Sequence, residues 1–250
     1  MSGHSKWASI KHKKAATDAK RGKIFTKLIK EITVAARFGG GNPEANPRLR
    51  LAISKAKESN MPKDNIDKAI KKGTGELPGV VYEEIIYEGY GQNGVAILVN
   101  VLTDNKNRAA AELRSLFTKK GGNMAGAGSV AWQFKQKGLI IVNARECSEE
   151  KLMDIVLENG AEDITQQEGN FEVSIPVKEF DNVKKAIEDA GINPVSAEIT
   201  MIPDANVKIT DQVVAAQIMN LVSALEDHDD VQNVYANFDI PDEILEKLDS

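Results

Sequence analysis

The sequence predicts an α+β protein with three domains: an N-terminal helical bundle plus two ferredoxin-like α/β domains, one inserted in the other. Three observations predict it: the charge changes sign partway along the chain, apolar residues before that point have helical spacing, and strand-like segments appear only after it. The predicted domains are residues 1–79, residues 80–135 together with 205–240, and the insertion 136–204, followed by a C-terminal tail, 241–250.

Charge divides the chain into two oppositely charged parts. Residues 1–75 hold 18 Lys/Arg and 6 Asp/Glu, a net charge of +12, whereas residues 76–250 hold 14 and 31, a net charge of −17. A cationic stretch attracts polyanions and an acidic one repels them. We therefore expect any nucleic-acid contact to be confined to the N-terminal part.

The first 75 residues are predicted to form three helices. In "KIFTKLIKEITVAAR" apolar residues recur at helical spacing, and three lysines lie on the opposite side at i, i+4 and i+7. The glycines and prolines of "FGGGNPEANP" end this helix. A second helix passes through Leu49, Ile53 and Ala56, and "NMPKDNIDKAIKKGTG" is predicted to be a third. Helices this short and this charged are not stable in isolation, so they are predicted to pack together in a small bundle.

Strands begin after the linker "GTGELPG". The segments "VVYEEIIYEGY" and "GVAILVNVL" are rich in β-branched and aromatic residues, "NRAAAELRSLFTKKGG" is a helix closed by glycines, and "SVAWQF" is predicted to be another strand. The order is β-β-α-β. From Gly138 onward the pattern starts again and gives β-α-β-β-α-β, the order of a ferredoxin-like unit.

The C-terminal part supplies one long helix, "DQVVAAQIMNLVSALEDH", and one strand, "VQNVYANF". Added to the β-β-α-β set, they complete a second sheet covered by helices, which is why we predict that 136–204 is inserted into a discontinuous domain. The alternative, a continuous middle domain with a separate tail, leaves this helix and strand without a sheet.

Motifs for nucleotide, metal or catalytic chemistry are weak. "GYGQNG" fits G-x-G-x-x-G, but a strand follows it instead of a helix, so a β-hairpin turn is predicted. The histidines, His4, His12 and His228, do not have the spacing of zinc ligands, and Cys147 is the only cysteine. Acidic pairs such as Glu83/Glu84 and Asp229/Asp230 are typical of solvated strand and turn positions. We expect no enzyme, no metal, no cofactor and no small-molecule substrate.

The opening stretch favours binding to nucleic acid. Lys and Arg neutralise phosphates, and exposed aromatic rings can stack on bases. Trp7 could equally anchor this segment to the bundle. The predicted stacking residues are His4 and Trp7. The predicted nucleic-acid-binding residues are Lys6, Lys11, Lys13, Lys14, Lys20, Arg21, Lys23, Lys27 and Lys30.

Several segments closely resemble the YebC family, which includes mitochondrial translational activators of a cytochrome oxidase subunit. They are "GHSKWASIKHKKAATDAKRGKIFTKLIKEI", "GGGNPEANPRLRLAISKAKESNMPKDNIDKAIKKGTGE", "YEGYGQNGVAILVNVLTDNKNRAAAELR" and "GGNMAGAGSVAWQF". The resemblance implies a helical N-terminal domain, two α/β domains, no catalytic activity and a role in gene expression. It also implies two descriptions of that role: DNA-binding transcriptional regulator, or ribosome-associated factor that relieves stalls at consecutive prolines.

Charge alone does not separate DNA from rRNA or tRNA. We favour the ribosome, because a cationic and an acidic module suit a target that presents both RNA and basic ribosomal proteins, and because no duplex-reading motif is evident. A protein-binding adaptor that uses the acidic domains is a third possibility. No apolar run approaches the ~18 residues of a membrane span, so we expect a cytoplasmic protein without membrane contact.

Overall fold

The structure, a computed structural model, describes residues 18–167 and 169–249. Their elements, in chain order, are α1 (Asp18–Gly39), α2 (Pro47–Glu58), α3 (Lys63–Thr74), β1 (Glu83–Tyr90), β2 (Ala96–Thr103), α4 (Lys106–Lys119), β3 (Asn123–Ala125), β4 (Phe134–Asn143), α5 (Glu149–Glu158), β5 (Asp163–Gln167), β6 (Asn170–Ile175), α6 (Phe180–Asp189), β7 (Pro194–Pro203), β8 (Val207–Lys208), α7 (Gln212–Glu226), β9 (Val231–Ala236), β10 (Phe238–Asp239) and α8 (Asp242–Asp249). This mixture of helices, two antiparallel four-stranded sheets and a two-stranded parallel sheet of β8 and β10 confirms the predicted α+β class.

The chain divides into two compact units. The first draws its described residues from 18–132 and 205–249, and the second is Gln133–Asp204. The first unit contains the three N-terminal helices together with a four-stranded sheet. The second unit contains a four-stranded sheet and two helices. Within the described residues, no helix is both long and apolar enough to cross a lipid bilayer.

Asn46 both ends helix α1 and starts helix α2. Its side-chain amide donates to the carbonyl oxygens of Ala35 (2.8 Å) and Gly40 (2.9 Å). Its side-chain oxygen accepts the N–H of Leu49 at 3.1 Å, which is the N-cap bond of α2. Because Asn46 is 4% exposed, these bonds satisfy polar groups that burial would otherwise leave unpaired.

Helices α1 and α3 approach closely at Gly73. A Cβ atom at this position would lie 2.4 Å from the carbonyl oxygen of Thr33 and 2.8 Å from the Cβ of Ala36. The hydroxyl of Thr33 also donates to the carbonyl of Ala69 at 3.3 Å. The bundle core is apolar and includes Ile32, Ala36, Leu49, Ala52, Ala56, Ile66 and Ala69.

The sheet of the first unit has the strand order β3-β1-β2-β9, with antiparallel neighbours. Helices α4 and α7 pack on the sheet through a core that includes Val99, Leu113, Phe117, Leu221 and Val234. The predicted hairpin at "GYGQNG" is confirmed, because β1 pairs with β2 and the connection contains positive φ angles at Asn93 and Gly94.

The predicted strand "SVAWQF" is wrong. Residues Ala131–Gln133 form a 3₁₀ turn, and Phe134 already belongs to β4 in the second unit. The strand that pairs with β1 is instead the short β3. The physical reason is that the carboxylate of Glu88 accepts the N–H groups of Val130 and Ala131, as well as that of Gly128, so these donors are not available for a strand ladder.

The second unit has the element order β4-α5-β5-β6-α6-β7 and the strand order β5-β6-β4-β7, all antiparallel. Its core includes Ile140, Val156, Val173, Phe180 and Ile187. The segment 241–250, predicted as a tail, contains helix α8, whose Ile244, Leu245 and Leu248 pack against the core of the first unit.

Candidate nucleic-acid interface

Most of the predicted nucleic-acid-binding residues lie outside the described residues. This is true of His4, Lys6, Trp7, Lys11, Lys13 and Lys14, and of the side chains of Lys20 and Arg21. Their contacts with nucleic acid stay predictions. The structure describes the remaining three, Lys23, Lys27 and Lys30, all on α1.

The three lysines lie against the C-terminal end of helix α7. The ammonium of Lys23 donates to the carbonyl of Asp227 at 3.0 Å, and that of Lys27 donates to the carbonyl of Glu226 at 2.6 Å. Carbonyls at a helix C-terminus lack helical partners and carry partial negative charge, so cations stabilise them. We call Lys23, Lys27 and Lys30 the α1 lysine stripe. It attaches α1 to the turn between α7 and β9.

Lys30 is buried, with 8% of its surface exposed. Its ammonium donates to the carbonyl of Asp229 at 3.0 Å and to the carboxylate of Asp230 at 2.6 Å, and it lies 5.6 Å from the centre of the Tyr82 ring. An ammonium held in this way is not free to neutralise a phosphate. The charge of Lys30 is instead matched within the fold by Asp230.

Asp230 is the centre of a buried polar network. Besides Lys30, its carboxylate accepts from the hydroxyl of Thr103 and the guanidinium of Arg108, both at 2.8 Å. The backbone N–H of Asp230 donates to Nδ1 of His228 at 3.1 Å. The prediction that Asp230 is a solvated turn residue is wrong, because it is 4% exposed, whereas Asp229, Glu83 and Glu84 are exposed as expected.

The network lowers the pKa of Asp230 to about 2. Burial favours the neutral acid and acts in the opposite direction, but the bonds from Lys30, Arg108 and Thr103 favour the carboxylate and outweigh burial. The folded state therefore binds a proton less readily than the unfolded state does.

This depressed pKa predicts a loss of stability in acid. The contribution of Asp230 is complete above its unfolded pKa, near 4, and is lost as the pH falls through its folded pKa, near 2. We expect Asp230 to account for about 2 kcal/mol of the fall in unfolding free energy between pH 4 and pH 2. Denaturant titrations of the wild type and Asp230→Asn across that interval measure it, and equal slopes in the two proteins would contradict it.

Helix α3 presents exposed lysines on the face turned away from α1. Lys68, Lys71 and Lys72 are spaced i, i+3 and i+4, and we call them the α3 lysine face. Among the residues that the structure describes, none of the three takes part in an ion pair. Arg48 of α2 is different, because its guanidinium binds Glu31 at 2.7 Å and Glu84 at 3.0 Å.

A second polar cluster fixes the segment Gly126–Trp132, which we call the Trp132 loop. The carboxylate of Glu88 is buried and accepts the N–H groups of Gly128 and Val130, both at 2.6 Å, and of Ala131 at 2.8 Å. Burial raises the pKa of Glu88, but the three backbone bonds lower it further than burial raises it, so the net shift is downward. Glu88 therefore stays a carboxylate in the folded protein, and its three hydrogen bonds fix the Trp132 loop.

The described residues contain no group of three or more His, Cys, Asp or Glu that could hold a metal ion. The structure brings a basic three-helix module together with helix α7, whose C-terminal end accepts hydrogen bonds from lysines of that module. It also gives α3 an exposed lysine face. Sequence reasoning missed Asp230, Arg108 and Glu88 as organising residues, because each acts on partners distant in the sequence.

Charge, element order and topology define an α+β protein with an N-terminal basic helical module. The model of the TACO1/YebC N-terminal domain matches residues 5–76, and the model of the second and third TACO1/YebC domains matches residues 82–238. The chain belongs to the TACO1/YebC family.

Similar proteins span its whole length. One from Syntrophobacter fumaroxidans, named a probable transcriptional regulatory protein, is 57% identical over 248 residues and covers 99% of this chain and 100% of its own. Another of that name, from Halothermothrix orenii, is 54% identical over 250 residues, with 99% of each chain covered. The crystal structure of a conserved hypothetical protein from Aquifex aeolicus is 51% identical, with a TM-score of 0.85, covering 96% of this chain and 98% of that one.

Proposed function

We propose that this protein is a nucleic-acid-binding regulator of gene expression without catalytic activity. The observation that carries the proposal is the net charge of +12 over residues 1–75 beside a net charge of −17 over the rest. A surface with this charge neutralises phosphates and binds largely through charge and shape. The names of the similar proteins support a role in the regulation of gene expression.

The described residues that serve this function best are those of the α3 lysine face. They are exposed, whereas the α1 lysine stripe donates to the end of α7. The opening stretch, with Lys6, Lys11, Lys13, Lys14, Lys20 and Arg21, adds further cations. α3 contributes rigidly placed charges to the interface, and the opening stretch adds positive charge to the same end of the sequence.

Within that class, we propose a ribosome-associated translation factor of the cytoplasm that contacts rRNA or tRNA and relieves stalls at proline runs. A factor without catalytic groups can act only by binding the productive geometry of a stalled complex more tightly than the unproductive one. Proline fixes φ and lacks an N–H, so consecutive prolines restrict how a nascent chain lies during peptide-bond formation. The acidic α/β domains suit contacts with basic ribosomal proteins.

The second candidate is a DNA-binding transcriptional regulator, which the names of the similar proteins favour. The two candidates differ in what changes first when the protein is depleted. Relief of stalling predicts that ribosome occupancy at proline runs rises within minutes while transcript levels of the same genes stay unchanged. Transcript changes that come first, with the protein bound at promoters, would establish the DNA-binding candidate instead.

A charge-reversal experiment tests the interface. We expect the full-length variant with Lys68, Lys71 and Lys72 all changed to Glu to bind ribosomes or RNA more weakly. The slope of log affinity against log salt should fall by about three, one unit for each phosphate that the variant no longer neutralises. We expect the wild type to neutralise about six phosphates, so its affinity should fall on the order of a thousandfold between 50 and 200 mM salt.

The matched control changes three exposed lysines elsewhere, Lys119, Lys120 and Lys185, to Glu, so that the net charge is the same. Co-sedimentation with ribosomes and fluorescence anisotropy with an RNA oligonucleotide measure both variants. An equal loss of affinity in the two variants would show that only total charge matters. An unchanged affinity in the α3 variant would remove α3 from the interface.

A further inference from the structure

The connection between β1 and β2 carries an Asn-Gly pair that is open to solvent. Asn93 and Gly94 are both exposed and have φ angles of 55° and 73°. They form the middle of a β-turn, which the N–H of Val95 closes by donating to the carbonyl of Gln92 at 3.2 Å. Within the part of the chain that the structure describes, the side-chain amide of Asn93 has no hydrogen-bond partner. Apart from the adjacent residues, a Cβ atom at Gly94 would have no neighbour within 4 Å.

The sequence contains a second Asn-Gly pair, and hydrogen bonds hold this one in place. Asn159 follows the last residue of helix α5, and its side-chain amide donates to the carbonyl of Ile155 at 2.8 Å. The N–H of Gly160 donates to the carbonyl of Leu157 at 3.1 Å. The two pairs therefore have the same sequence and different surroundings, so a difference in their chemistry would come from the fold.

An asparagine followed by glycine can lose its side-chain amide, because glycine has no Cβ to hinder attack by its backbone nitrogen. That nitrogen forms a bond to Cγ of the asparagine and gives up its proton, and the side-chain nitrogen leaves as ammonia. Water then opens the cyclic imide at one of its two carbonyl carbons. The product is aspartate, or isoaspartate, in which the main chain runs through the side-chain carbon and is one atom longer. The only co-reactant is water.

Both asparagines must change conformation before the ring can close. The ψ angle is 23° at Asn93 and 9° at Asn159, and closure requires a large rotation about this bond in each case. At the second pair, both the amide of Asn159 and the N–H of Gly160 must leave their acceptors. At the first pair, the rotation opens the turn between Gln92 and Val95, but the amide of Asn93 has no bond to give up. Local opening of an exposed turn has a low free energy.

We propose that Asn93 is a site of spontaneous deamidation and isoaspartate formation in the folded protein, and that the fold protects Asn159. Either product adds a negative charge to the turn, and isoaspartate also lengthens its main chain. The ladder between β1 and β2 begins at the pair Tyr90 and Ala96, so a longer turn acts on the end of this ladder. The inference is independent of the nucleic-acid proposal, because this turn and the α3 lysine face share no residue.

The experiment incubates the full-length wild type at mildly alkaline pH and follows the peptides that contain the two pairs by mass spectrometry. We expect Asn93 to react about thirtyfold faster than Asn159 in the folded protein, because two hydrogen bonds protect the second pair. In urea the two should react at similar rates. Equal rates in the folded protein would overturn the inference. A preference for Asn93 that persists unchanged in urea would overturn its assignment to the fold.

A second measurement tests what the modification does to the hairpin. The isoaspartate form, separated from the incubated protein by chromatography, is compared with Asn93→Asp, which has the same charge and a main chain of normal length. We expect amide hydrogen exchange at Gly91 and Val95 to be faster in the isoaspartate form, because the lengthened turn loosens the end of the ladder. Equal exchange in the two forms would contradict this effect. RNA affinity, measured on both forms, reports separately on the proposed function.

Discussion

Replacing Asp230 by alanine should lower the free energy of unfolding by about 3–5 kcal/mol, because the change leaves a buried ammonium without its counter-charge. Lys30 is 8% exposed, and its other recorded hydrogen-bond acceptor is a backbone carbonyl. Thr103, fully buried, would also lose an acceptor for its hydroxyl. Arg108 is affected less, because its guanidinium keeps its hydrogen bond to the carboxylate of Asp104 at 2.8 Å.

Urea unfolding followed by circular dichroism measures this effect. Asp229→Ala is the matched control, since its carboxylate is exposed and only its backbone carbonyl binds Lys30, and it should change stability by less than about 0.5 kcal/mol. Combining Asp230→Leu with Lys30→Met removes both charges and should restore much of the stability. A cost for Asp230→Ala as small as that for Asp229→Ala would show that the ion pair does not hold α1.

Replacing Glu88 by alanine should cost about 3 kcal/mol or more, because three backbone N–H groups lose their acceptor at once. The effect should be local at first: amide hydrogen exchange at Gly128, Val130 and Ala131 should accelerate before the rest of the sheet opens. Glu84→Ala, at the exposed start of β1, removes a partner of Arg48 and should cost less than about 1 kcal/mol. Unchanged protection of the three amides in Glu88→Ala would contradict the assigned role.

The class of fold could be predicted from the sequence because periodicity is a local signal. The apolar spacing of α1 and the β-branched composition of β2 are each contained within one element. "SVAWQF" has the composition of a strand, yet Glu88, about forty residues earlier, decides its conformation. Such a long-range hydrogen bond leaves no trace in local composition.

Of the candidate site, only the net positive charge could be predicted from the sequence. The lysines of α1 lie opposite its apolar face in the sequence pattern, which favours a solvated, cationic surface. The structure instead places the α1 lysine stripe against the end of α7, about 200 residues away in sequence. Lys68, Lys71 and Lys72 of α3 are not among the predicted nucleic-acid-binding residues, although their spacing places them on one helix face. Their exposure is seen only in the structure. No local feature marks Asp230 as the partner of Lys30.

Lys30 and Asp230 are 200 positions apart in the sequence, so Lys30 is synthesised well before its partner. Helix α1 is made about 200 residues before the turn that receives its lysines. At about 5–20 residues per second, the stripe waits on the order of 10–40 seconds for its partner. In a growing chain the α1 lysine stripe therefore has no acceptor at the end of α7 until that turn has been made.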